Sequence, residues 1–222
     1  RRKLVRLSFL FIAIASLVAS CAHFSKEKEL PKEPRLSWTK AQERAAKISN
    51  IHYLIDLNIG DQKDVFDGVT TLTFDLSDAS KDLRIDLYEA TLFEIKSNDQ
   101  TIPLDYNKHF ISIPQKFLQV GKNTVVIKYE RAYAKNGKGL HRFIDPEDKR
   151  AYLHTQFETY YANRMFPSFD QPDLKATYTL NVTAPSDWEV ITSVRESKKT
   201  KAENKRSVRF IDLFILKSVR TR

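Results

Sequence analysis

The sequence predicts an all-β domain, an antiparallel two-sheet sandwich or saddle, and three observations lead to it. From Ile51 apolar residues recur at every second position, through Tyr53, Ile55, Leu57 and Ile59. Phe66 to Leu76 does the same through Leu72, Phe74 and Leu76. That period puts alternate side chains on one face of an extended chain, as a half-buried strand requires. Short runs of this kind then continue at regular spacing, and little helical periodicity follows Ser49, which is the pattern of a two-layer β architecture.

Taken in order, the elements begin with one short amphipathic helix. Ser37 supplies a cap, and Trp38, Ala41, Ala45 and Ile48 fall near one face at helical spacing. The strands at Ile51 to Ile59 and Phe66 to Leu76 follow. Further strands are expected at Leu83 to Leu87, Leu92 to Ser97, Thr101 to Tyr106, Phe110 to Ile113 and Thr124 to Arg131, then at Ala151 to Thr155, Thr177 to Thr183, Trp188 to Ser193 and Ser207 to Ile211. Asn98-Asp99-Gln100 reads as a tight hairpin connection, because Asn and Asp tolerate the left-handed backbone such turns need.

The chain before the helix has a different character. Arg1-Arg2-Lys3 precedes an apolar run from Leu7 to Ala19 that is short for a bilayer span, the anatomy of a secretory signal. The run ends in Val18-Ala19-Ser20-Cys21, which resembles the lipobox of bacterial lipoproteins. That resemblance implies acylation of Cys21, a mature chain starting there and a membrane anchor made of lipid alone. Residues 22–36 are polar and carry Pro31 and Pro34, so they read as a tether. The expected location is the cell envelope, periplasmic or surface-facing. Cys21 is the only cysteine, so there is no disulfide framework.

The net charge of +9 on 222 residues raises the question of nucleic acid. Its distribution argues against one. Residues 1–21 hold four basic and no acidic side chains, and residues 195–222 hold ten basic and three acidic, which leaves 22–194 slightly negative. The folded part has no bulk cationic surplus for phosphates.

Self-sufficient catalytic signatures are absent from the sequence. None of the five histidines begins an H-E-x-x-H zinc motif, and there is neither a G-x-S-x-G elbow nor a P-loop. His141 and His154, without a carboxylate or cysteine at matching spacing, make a weak metal signal. The densest stretch runs from Gly139-Leu140-His141-Arg142-Phe143 through Tyr152-Leu153-His154-Thr155-Gln156-Phe157-Glu158 to Asn163-Arg164-Met165-Phe166-Pro167-Ser168-Phe169-Asp170-Gln171-Pro172-Asp173-Leu174-Lys175-Ala176.

This stretch resembles the zinc aminopeptidase N family, the gluzincin peptidases that remove residues from peptide N-termini. The resemblance runs from the helix at Thr39 to about Asp212 and covers the family's N-terminal β domain, expected here over residues 37–212. Ser168 stands where the family usually has Cys. The resemblance implies a division of labour in which zinc and its ligands belong to a following catalytic domain, with no zinc ligand in this chain. The β domain lends a substrate-facing loop, in which Gln156 and Glu158 correspond to the residues touching the first substrate residue and its free amine. A peptide α-amine is largely cationic at neutral pH, and a carboxylate is its natural partner. Judged on residues alone, Glu158 is an ordinary surface carboxylate. Arg164, Asp170 and Asp173 read as residues that tie the loop down, and Tyr160, Tyr161, Phe166 and Phe169 as packing beneath it.

From Leu213 the resemblance lapses, and residues 213–222 read as a divergent basic tail, expected from a frameshift or premature stop. The functional expectation is therefore the substrate-anchoring domain of an exported zinc aminopeptidase, cut off before its catalytic domain and binding peptides with a free N-terminus. The alternative is a non-catalytic peptide-binding or structural envelope lipoprotein.

Overall fold

The structure is a computed structural model that describes residues 36–60, 62–202 and 204–214. Cys21, the signal segment, the tether before Leu36 and the tail after Phe214 lie outside the described residues.

The described residues from Leu36 to Phe214 belong to one compact unit. It opens with helix α1 (Trp38–Ala45), capped by Ser37, whose hydroxyl accepts from the Lys40 amide. Among the described residues twelve strands follow: β1 (Ile48–Asn58), β2 (Val65–Leu76), β3 (Leu83–Asp86), β4 (Thr91–Ser97), β5 (Gln100–Thr101), β6 (Phe110–Ile113), β7 (Gly121–Ala132), β8 (Gly139–Ile144), β9 (Ala151–Gln156), β10 (Ala176–Pro185), β11 (Lys198–Lys201) and β12 (Lys205–Phe214). Eight of them make one sheet in the order β11-β12-β10-β1-β2-β7-β4-β5, while β3-β6 and β8-β9 are separate two-stranded sheets. The domain is all-β and predominantly antiparallel. One pair departs from the expected antiparallel sheet, since β1 runs parallel to β10, from Ile51 beside Ala176 to Asn58 beside Thr183. A strand period reports which face is buried and says nothing of the neighbour's direction.

The inner face of the large sheet is built in rows across strands. Tyr53, Leu72 and Val125 form one row, Ile55, Thr70 and Ile127 the next, and Leu57, Gly68 and Tyr129 a third. These rows pack with Ile85, Ile111 and Ile113 of β3 and β6, and with Met165, Phe166 and Phe169 from the segment after β9, into one buried cluster. Gly68 has a packing reason to lack a side chain: a Cβ there would lie 2.3 Å from the ring of Tyr129. The two-residue turn between β4 and β5 has Asn98 and Asp99 both at positive φ, the turn that the Asn-Asp pair favours.

Several expected elements differ. Of the strand expected from Thr101 to Tyr106 only Thr101 lies in one; the Ile102 amide still donates to the Ile95 carbonyl at 3.0 Å, Pro103 then lacks an N–H to give, and Tyr106 returns as an isolated bridge to Ile111. Trp188 to Ser193 is no strand. The Trp188 amide donates back to the Pro185 carbonyl at 3.1 Å, and Ile191 is 88% exposed. Strands β8 and β11 were not expected. In α1 the expected apolar face is displaced as well: Trp38 is 77% exposed, and the buried member of the helix is Arg44.

Candidate functional site

Strand β9 ends at Gln156, and the chain then folds into consecutive tight turns. The Tyr161 amide donates to the Phe157 carbonyl at 3.1 Å, and Met165 and Phe166 both donate to the Ala162 carbonyl. Phe157 points inward and meets Phe166 edge-on, ring centres 6.1 Å apart at 80°. Its neighbours Gln156 and Glu158 are both exposed. Alternation about one half-buried aromatic thus sets an amide and a carboxylate on the outer side of the same short loop. The Gln156 side-chain oxygen Oε1 accepts from the Glu158 amide at 2.8 Å, and the glutamine's NH2 is the donor end of the same group. The peptide bond after Glu158 is cis. Among the described residues no ion pair engages the Glu158 carboxylate.

What holds this loop lies beneath it. Asp86, at the end of β3, is fully buried and accepts from Arg44 of α1 at 2.8 Å, from Arg84 at 2.6 Å and from the Asp170 amide at 3.1 Å. The backbones of Asp86 and Ser168 exchange both hydrogen bonds, at 2.9 and 3.0 Å. Arg44 also donates through Nε to Gln171, whose NH2 reaches the Ala41 carbonyl and Asp173. Asp170 accepts from both the backbone and the side-chain NH2 of Asn163. Arg44, Asp86 and Gln171 therefore stitch α1, β3 and the 162–173 segment together, at low exposure where such bonds are strongest. Arg84 extends the network to the Tyr160 hydroxyl at 3.1 Å. Burial, and then the charge of Asp86, push the Tyr160 hydroxyl's pKa up. The Tyr53 hydroxyl accepts from the Phe169 amide and the Tyr129 hydroxyl donates to the Met165 carbonyl, both at 2.9 Å, with burial pushing both phenols up.

The remaining sequence-predicted residues fall as follows. His141 and His154 sit opposite one another on β8 and β9, ring centres 4.7 Å apart, and His141 Nδ1 accepts from the Gly137 amide. Among the described residues no three of His, Cys, Asp and Glu come together as a metal ion would need, so none of them fits a zinc site. Arg164 lies over the Tyr88 ring at 3.9 Å and over Tyr161 at 5.4 Å. Arg131 donates to the Tyr88 carbonyl, and burial, with Arg164 nearby, lowers its pKa to about 10. Phe166 and Phe169 are buried, while Tyr160 and Tyr161 are half-buried. Sequence reasoning missed Asp86 and Arg44, whose partners lie 42 residues apart in the chain.

Residues 49–215 match the Peptidase M1 N-terminal domain family. The chain belongs to this family. Among curated relatives, aminopeptidase N of Streptomyces lividans is 37% identical over 162 residues, covering 71% of this chain and 19% of that protein. Glutamyl aminopeptidase of Rattus norvegicus is 21% identical over 173 residues, again covering 71% of this chain and 18% of the relative. Among solved structures, the fold matches Legionella pneumophila aminopeptidase A in complex with aspartic acid, with a TM-score of 0.64 and 20% identity over 75% of this chain and 20% of that one. It also matches an M1 zinc metallopeptidase from Deinococcus radiodurans, with a TM-score of 0.59 and 18% identity over 74% of this chain and 39% of that one. The chain spans about a fifth of the length of the curated relatives it matches, and the M1 N-terminal domain accounts for that share.

Proposed function

We propose that this chain is the N-terminal, substrate-anchoring domain of an exported, lipid-anchored zinc aminopeptidase, with Glu158 and Gln156 receiving the free amine of a peptide. The observation that carries the proposal is the loop itself: Phe157 is locked inward on Phe166 and forces its two polar neighbours outward together. The Glu158 carboxylate is a suitable partner for a peptide α-ammonium, which titrates near about pH 8 and is mostly charged at neutral pH. The NH2 of Gln156 supplies a donor for the carbonyl of the same residue. An ammonium fixed at one distance from a metal selects the first peptide bond over internal ones. Zinc and the hydrolytic step belong, on this reading, to a following domain of the kind the longer relatives possess. Cys21 would carry the acyl anchor, and a Cys21→Ser variant that still incorporates labelled fatty acid would remove that part.

The test is a titration of the chain with a pentapeptide amide and with its N-acetylated twin. A charge-assisted hydrogen bond contributes about 1.5–3 kcal/mol, so Glu158→Gln and N-acetylation should each weaken binding by roughly 10- to 150-fold. Equal affinity for the free and the acetylated peptide removes the anchoring role.

A further inference from the structure

The two edges of the large sheet are blunted. β11 is four residues long and three of them are lysine, and β5 has only two residues; short or lysine-bearing edges discourage pairing with another chain. Strand β9 carries no such protection. Its six residues, Ala151-Tyr152-Leu153-His154-Thr155-Gln156, include no proline and no Lys, Arg, Asp or Glu.

The hydrogen bonds around β8 show which backbone groups of β9 remain open. Ala134 donates to the Leu140 carbonyl at 2.9 Å and accepts from the Arg142 amide at 3.0 Å, so the outer edge of β8 is covered at that point. Because alternate residues face opposite edges, His141 turns towards β9 and bonds to His154, as Phe143 does to Tyr152 and Gly139 to Gln156. Ala151, Leu153 and Thr155 therefore present their N–H and C=O groups away from β8. Among the described residues no strand pairs with that side of β9. This row ends at Thr155, three residues before Glu158. Exposed Tyr152 and His154 flank it on one face and half-buried Leu153 on the other.

We propose that β9 is a docking strand for extended peptides, which pair antiparallel to its open edge while their free amine sits at Glu158. The inference rests on the anchoring role given to Glu158 above. Direction follows from placement: a chain that starts beyond the C-terminal end of β9 and continues along the edge must run towards its N-terminal end. At about 3.4 Å per residue the edge spans roughly 17 Å, which favours unfolded peptides of six or more residues over dipeptides. Main-chain pairing confers affinity without demanding particular side chains.

The experiment follows backbone amide shifts of the full chain during titration with a free-amine octapeptide, its N-acetylated twin, a dipeptide and single N-methylated octapeptides. Pairing predicts shifts at the Ala151, Leu153 and Thr155 amides, with little change at Tyr152, His154 and Gln156. N-methylation at alternate peptide positions should cost at least tenfold in affinity and at the intervening positions less than twofold. Thr155→Pro, which removes one outward N–H and no bond to β8, should weaken the octapeptide and leave the dipeptide unchanged. Free-amine-dependent shifts confined to Glu158 and Gln156 overturn the docking strand while keeping the anchor. Shifts along β9 that survive N-acetylation keep the docking strand and remove the anchor. Concentration-dependent shifts of the same three amides without peptide assign the edge to a second copy of the chain and overturn the proposal.

Discussion

Replacing Asp86 by alanine tests the idea that the substrate-facing loop is held from beneath by buried charge. The carboxylate is fully buried between Arg44, whose side chain is 6% exposed, and Arg84, at 17%. Arg84 can recover water at its edge and keeps its stacking on Phe110, 4.2 Å from the ring centre. Arg44 cannot, and it would remain as a buried cation beside Gln171, the Arg84 carbonyl and the Phe169 ring, all of them neutral. Removing one member of such a pair costs about 3–5 kcal/mol. For a domain of this size that lowers the midpoint of thermal unfolding by about 6–20 °C. Urea unfolding followed by circular dichroism measures the loss directly. Adding Arg44→Met to the Asp86→Ala chain should then return at least about 1 kcal/mol, since it removes the stranded charge. A loss under about 1 kcal/mol in the single variant, or no recovery in the double, would refute the reasoning, because either result means that the cation finds water or another partner.

Gly139 is at φ +76° and faces Arg164, where a Cβ would lie 2.5 Å from the arginine's own Cβ and 3.1 Å from its backbone. Gly139→Ala should therefore cost about 1–3 kcal/mol in denaturant unfolding by prising β8 from the 162–164 turn; unchanged stability would mean that the hairpin is not seated there. At the surface, the hydrogen bond from Lys47, and then those from Ser80, hold the Asp78 carboxyl well below the usual carboxylate range. A carboxyl depressed in the folded state contributes stability above about pH 4 that disappears as the pH falls further. Asp78→Asn should accordingly flatten the acid limb of a plot of Tm against pH between 5 and 2, and parallel curves for the two proteins would show that the pair contributes nothing.

The strands were legible where burial alternates strictly, as in β1, β2 and β7, because a period of two is a local property. The turn at Asn98 and Asp99 was legible for the same reason, through the backbone preference of two adjacent residues. Strand order was not. The parallel alignment of β1 with β10 depends on partners far apart in the chain, and nothing in either strand's own pattern names its neighbour. Trp188 and Val190 misled for an instructive reason, since they do pack on the core but from irregular chain that pairs with no strand. At the site, Gln156 and Glu158 came from resemblance, and their own residue types gave no signal. Arg44 could have been suspected as a cation on a helix with little else to bury. Its partner Asp86 sits at the end of a four-residue strand, and no spacing rule connects the two.

The parallel seam between β1 and β10 also fixes an order of events during synthesis. Asp56 and Asn181, bonded across that seam at 2.6 Å, are 125 residues apart. At translation rates of about 5–20 residues per second, roughly 6–25 s pass between the appearance of one and of the other. During that interval β1 can pair with β2, but its second edge has no strand beside it. The nascent chain therefore carries an open, aggregation-prone edge until its last third emerges, and β10 is the element whose arrival ends that exposure.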